Sequence, residues 1–201
     1  MKMKKVIRIV VFSLICIALV VGFYFYLTNK ITSTEETSKT EISEINEVLN
    51  KNFAADYPQT PRAVIKWYNR IITLYYNKDT SDAQVIDLCD QAMMLMDSAL
   101  VQNNPRNTYI KNAKKDIADY ADHKRKIVQS DVCSTDEVEY KTINKDDMAY
   151  VIASYSISEG SSFNRTYQKF ALRENEDGEW KILAFELTDK DGTPISEDTS
   201  K

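Results

Sequence analysis

Residues 9–27 form an unbroken run of 19 positions without a charged side chain. As a helix rising about 1.5 Å per residue, the run spans roughly 28 Å, the thickness of a bilayer's hydrocarbon core. Only Ser13, Cys16 and Gly22 within it are not strongly apolar, and a helix satisfies its own backbone polar groups. It closes on Phe23-Tyr24-Phe25-Tyr26, side chains suited to the membrane–water interface. A cleaved signal peptide is the rival reading. It needs a shorter apolar stretch followed by a small-x-small cleavage site, and four bulky aromatics stand in that place. Nor does Cys16 mark a lipoprotein, because Ile15 precedes it where a small residue is required; it reads as a small apolar filler. The run therefore predicts one uncleaved transmembrane helix. Residues 1–8 ahead of it carry Lys2, Lys4, Lys5 and Arg8 and no acid, whereas Lys30 behind it is soon followed by Glu35 and Glu36. The positive-inside rule then places the N-terminus in the cytoplasm and residues 28–201 outside the cell membrane.

Splitting the chain there changes what its composition means. The formal charge of −4 comes from 26 basic and 30 acidic residues. Four of the bases belong to the cytoplasmic stub 1–8, so the remainder sets 22 against 30, a net −8. That balance disfavours nucleic acid or an anionic lipid surface as a partner, with Lys124-Arg125-Lys126 as the one short basic cluster. The whole chain holds four glycines, three cysteines and one histidine. Such numbers exclude a Gly-rich phosphate loop, a dinucleotide fingerprint, a multi-histidine metal site and a four-cysteine zinc site. No metal or cofactor is expected, and no catalytic residue stands out.

Residues 28–40 are polar and rich in Ser and Thr, a juxtamembrane linker. Residues 41–188 read as an extracytoplasmic α+β domain, and 189–201 as a polar, flexible tail. Helical patterns come first. Ile42, Ile45, Val48 and Leu49 mark a short helix over about 41–52. Thr60-Pro61 supplies an N-cap and a first-turn proline. The helix behind it carries Val64, Ile65, Trp67, Tyr68, Ile71, Ile72, Leu74 and Tyr75, more than one stripe, so it is largely buried. Ser81-Asp82-Ala83-Gln84 is a capping box. It opens a third helix whose apolar face runs Val85, Leu88, Cys89, Ala92, Leu95, Met96, Ala99 and Leu100. Asn103-Asn104-Pro105 ends it, and a fourth helix groups Ile110, Ala113, Ile117, Tyr120 and Ala121.

Beyond residue 127 the period changes to alternation. A weak strand over 127–133 precedes Val138, Tyr140 and Thr142, and 144–147 is a turn. Ala149, Val151, Ala153 and Tyr155 share one face of a strand over 148–157. Further strands cover 167–173 and 180–187, joined by the hairpin signal Asn175-Glu176-Asp177-Gly178. Connections this short require antiparallel pairing, so the fold class is α+β, helices packed on a curved antiparallel sheet.

The Pro-flanked aromatic helix (Thr60-Pro61, Trp67-Tyr68), the helices after it and the meander ending Glu176-Asp177-Gly178-Glu179-Trp180-Lys181-Ile182 together resemble the nuclear-transport-factor-2-like fold, a cone of helices wrapped by a curved sheet. The whole layout, with its basic start and Asn103-Asn104-Pro105 between helices, is similar to an uncharacterised family of single-pass, membrane-anchored proteins of Gram-positive gut bacteria. The resemblance implies location and fold; it brings no activity and no catalytic residues.

Candidate sites follow from residue types. Trp67, Tyr68, Tyr120, Tyr155 and Trp180 fall on elements facing a helix–sheet interior, where aromatics either fill a core or line a ligand pocket with inward hydroxyls. Tyr75, Phe170 and Phe185 belong to the same set. Cys89 and Cys133 are the cysteines outside the membrane. They either pair, closing a loop of about 45 residues worth roughly 4 kcal/mol, or stand apart as small hydrophobes. His123 complements the negative end of the fourth helix. Asp146-Asp147 suits a turn, and Glu137 and Glu139 a solvated strand face, without calcium-loop spacing. Asn164-Arg165-Thr166 matches a glycosylation acceptor, which counts only in a secretory pathway that reads it.

The expectation is a binding or interaction module of the cell envelope, taking a small apolar or cell-wall ligand or a partner protein. Two alternatives stand beside it. An open cavity with a carboxylate next to a tyrosine favours an enzyme; a sealed interior favours a structural subunit that docks a membrane partner.

Overall fold

The computed structural model describes residues 44–77 and 79–195. The apolar run 9–27, the stub, the linker and the end of the tail lie outside the described residues. Among the described residues no helix is long and apolar enough to cross a membrane. Residues 44–49 are helical. The elements then run α1 (Pro61–Asn77), α2 (Asp82–Met94), α3 (Ser98–Asn103), α4 (Arg106–Asp122), β1 (Arg125–Val132), a 3-10 turn (Thr135–Glu137), β2 (Glu139–Ile143), β3 (Asp146–Glu159), β4 (Ser162–Glu174) and β5 (Trp180–Thr188). The expected α+β order, helices ahead of an antiparallel sheet, is what the chain forms.

Local chemistry sets the boundaries. Thr60 caps α1 through its hydroxyl, which accepts from the Ala63 amide at 3.2 Å. Ser81 and Gln84 close the expected capping box on α2. The third helix departs from the single helix that its stripe predicts. It stops at Met94, and the backbone of residues 95–97 turns to pair with β5. Leu95 accepts from the Ile182 amide at 2.9 Å, and the Asp97 amide donates to Ile182 at 2.8 Å. Asp97 then caps α3, accepting from the Ala99 amide at 2.8 Å. An N-cap residue and a free strand edge together outweigh a continuous apolar stripe.

The five strands form one antiparallel sheet in the order β1-β3-β4-β5, with β2 pairing β3 beside β1. β3 is the spine: its residues from Ala153 onward pair with β1, and its first five with β2. Residues 144–145 make the β2–β3 turn with φ of 54° and 80°, the mirror-image turn that suits a two-residue hairpin. Asp146 and Asp147, expected in that turn, are the first residues of β3 instead. On the inner face Ala149, Val151, Ala153, Phe170, Leu172 and Ile182 are fully buried, the alternation that the sequence predicts. Residues 189–195, read as the start of the tail, turn back on β5. The Asp189 carboxylate accepts from the Asp191 and Thr193 amides, and the Ile195 amide donates to Leu187. Gly192 sits there at φ 82°, where an added Cβ would come within 3.0 Å of Ile152.

Two features place the candidate site. α1 lies on the inner face against β1, β3 and β5. Its last side chain, Asn77, is bonded both ways to the backbone of Ile127: the Asn77 amide donates to the carbonyl, and the Ile127 amide donates to Asn77 Oδ1 at 2.8 Å. α4 packs on α1, α2 and β1, yet Ala113 is its one fully buried residue. A helix so lightly packed leaves a cleft between α1, α4 and the sheet.

Candidate functional site

The cleft holds about 280 Å³. Six tyrosines line it: Tyr68, Tyr75 and Tyr76 from α1, Tyr109 and Tyr120 from α4, and Tyr155 from β3. Asn112, Asp116, Thr166 and Gln168 add polar groups, and Phe185 stands at the β5 side. Three of the five expected pocket residues, Tyr68, Tyr120 and Tyr155, meet here.

Trp67 and Trp180 do not. Trp67 is one residue, and so about 100° of helical turn, away from Tyr68. It packs edge-on against Phe53 at 5.6 Å, with Lys51 and Arg70 over its ring at 5.3 and 5.1 Å. Trp180 opens β5 opposite Glu174, at the far end of the strands from Thr166 and Tyr155. There its ring meets Tyr140 at 5.7 Å and its carbonyl accepts from the Tyr57 hydroxyl at 2.9 Å.

Beneath the cleft, Tyr68 rests on the fully buried Phe170 at 5.7 Å, and Phe170 on Phe185 at 5.6 Å. Tyr76 stacks on Tyr120 with centroids 4.4 Å apart, and Tyr75 meets Tyr76 edge-on at 4.7 Å. The Tyr155 hydroxyl donates to Asn69 Oδ1 at 2.6 Å inside the core, while Asn69 Nδ2 is buried with no partner among the described residues. The Tyr109 hydroxyl lies close enough to those of Tyr68 and Tyr75 to influence their ionisation, yet it is buried without a well-formed hydrogen bond among the described residues.

Burial dominates the electrostatics. It pushes the Tyr68 phenol up to about 12 and raises Tyr75, Tyr76, Tyr109, Tyr120 and Tyr155 above the ordinary tyrosine value. At Tyr76 the Asp116 carboxylate adds to the rise; at Tyr120 Arg125 opposes it while Asp116 and Asp119 add to it. All six phenols are therefore neutral at physiological pH, groups that both donate and accept hydrogen bonds, with the Tyr155 donor already used on Asn69. No lysine, arginine or histidine is among the lining residues.

Tyr76, Tyr109, Asn112 and Asp116 escape a search for apolar periodicity. Tyr109, Asn112/Ala113, Asp116 and Tyr120 repeat at helical spacing, but the stripe is mostly polar. A search for tyrosines in phase with Ala113 and Tyr120 finds it.

The remaining candidates are structural. Cys89 and Cys133 are both free thiols. Cys89 is buried in α2 near Tyr68 and Tyr109, and burial pushes its thiol up to about 11. Cys133 follows β1, its amide donating to Ile152 and its carbonyl accepting from Arg62. His123 is the C-cap of α4, its ring 3.2 Å from Asp119. Glu137 caps the 3-10 turn through Ser134, Glu139 pairs with Lys141, and Asp146 with Arg173.

A family model matches residues 1–185, a span that takes in both the apolar run and the cleft. The chain belongs to the family described as Domain of unknown function (DUF6715). No curated protein matches it. Among solved structures it is similar to CagV of Helicobacter pylori strain 26695, a VirB8 homolog of T4SS, at 10% identity over 67% of this chain and 99% of that one, with a TM-score of 0.38. A likeness that loose carries no argument about what this chain does.

Proposed function

We propose that this chain is a binding module of the cell envelope, held by a transmembrane helix over residues 9–27, whose outer domain takes a small ligand in the tyrosine cleft. The observation that carries the reading is the cleft itself: six neutral phenols around about 280 Å³, enough for a small ligand, apolar on the ring faces and polar at the hydroxyls. The hydroxyls of Tyr68, Tyr75 and Tyr109, clustered closely enough to act on one another's ionisation, support it by giving the cleft wall a polar group that a ligand can bond to.

Asp116 beside Tyr76 and Tyr120 is the juxtaposition that an enzyme would also use. The direction of the phenol shifts favours binding. A catalytic tyrosine is poised by a lowered pKa, whereas every phenol here is raised, leaving no phenolate near neutral pH.

Thermal-shift measurements on the full chain in nonionic detergent, across envelope metabolites, test the reading. At least one metabolite raises Tm in the wild type and has no effect in Ala113→Trp, which fills the cleft. An absence of shifts, or equal shifts in the variant, refutes it. The orientation is checked separately: protease added to intact cells cuts residues 28–201, and protection until detergent is added contradicts the outside assignment.

A further inference from the structure

The lining of the cleft also selects by charge. It contains one carboxylate, Asp116, and no cationic side chain. Among the described residues Asp116 makes no ion pair, unlike Asp119 one turn along, which is held by His123 and Arg125. The basic group that acts on Tyr120, Arg125, is itself engaged by Asp119 and Glu159. Asp116 acts on both Tyr76 and Tyr120, the stacked pair. Aromatic faces carry negative charge density and attract cations. An anion entering here meets a carboxylate with no counter-charge; a cation meets that carboxylate and the ring faces left uncovered.

We propose that the tyrosine cleft binds a small organic cation, an alkylated ammonium group, with Asp116 as its counter-ion and the face of the Tyr120 ring turned away from Tyr76 as its aromatic wall. Buried phenols beyond the wall, Tyr109 foremost, accept or donate hydrogen bonds to the rest of the molecule. The inference rests on the reading of the cleft as a binding site and adds the chemistry of what enters it.

The probe is choline, set against its neutral isostere 3,3-dimethylbutan-1-ol, by titration calorimetry on the full chain in nonionic detergent micelles. Choline binds about tenfold more tightly than the isostere, and its affinity falls as salt rises. Asp116→Asn, at an exposed position, weakens choline about tenfold and leaves the isostere unchanged. Tyr120→Leu, which removes a ring face, weakens choline, with Tm confirming the fold. The proposal is overturned if the isostere binds as well as choline, or if Asp116→Asn leaves choline unaffected; the cleft then still binds small molecules, and its charge selectivity is what fails. If neither probe binds, the cation is excluded, and the metabolite screen with Ala113→Trp decides the broader reading independently.

Discussion

Single side chains hold the cleft in shape. Tyr155 and Asn69 form the buried bond behind it, with Asn69 only 2% exposed. Tyr155→Phe strands both polar ends of Asn69 and is expected to cost about 1–3 kcal/mol, read as a lower urea midpoint at an unchanged slope. Asp97 is 4% exposed. It caps α3 and pairs with Arg173 through both oxygens at 3.0 and 2.7 Å. Asp97→Ala removes a cap and a charge-assisted pair together, an expected loss of about 2–4 kcal/mol by the same measurement. At this scale the sequence was half legible. Tyr68, Tyr120 and Tyr155 announce themselves as aromatics on apolar stripes. Trp67 carries the same signal and packs elsewhere, because a one-residue step rotates it off the cleft. Asp116 gives no apolar signal at all, since its place depends on how far α4 stands from the sheet, which only tertiary packing determines.

Elements were more legible than residues, because caps and turns are local chemistry. Thr60, Ser81 with Gln84, and the hairpin at 175–178 each act where their residue types predict. The miss at α2 and α3 has a non-local cause: the edge of β5, at Ile182, 86 residues beyond its bridge partner Met96, captures residues 95–97. The β2–β3 turn offers a test of the local account. Lys145 is held at φ 80°, a conformation that strains a side chain bearing a Cβ. Lys145→Gly is expected to stabilise the domain by about 0.5–1 kcal/mol, seen as a higher urea midpoint. A loss of stability contradicts the turn assignment.

For the molecule as a whole, the buried phenols couple stability to alkaline pH. Each has a folded pKa above its unfolded value of about 10, so folding favours the protonated form. Their contribution is whole below that value and is lost as pH climbs toward the folded values, about 12 for Tyr68. Unfolding free energy is expected to fall steadily from about pH 10 upward, with phenolate absorbance from the six cleft tyrosines appearing only as the domain unfolds. Ionisation of those tyrosines in the folded state near their free value contradicts the burial described here. The apolar run 9–27 is visible in the sequence alone, whereas the cleft is not: its volume is the space left by a lightly packed helix. The central claim is that this space receives a ligand, and NMR of the full chain with carbon-13-labelled tyrosine tests it directly. On adding the metabolite that gives the largest thermal shift, the account predicts ring-signal changes concentrated at Tyr68, Tyr75, Tyr76, Tyr109, Tyr120 and Tyr155. Changes confined to Tyr57, Tyr140, Tyr150 and Tyr167, or none at all, contradict it.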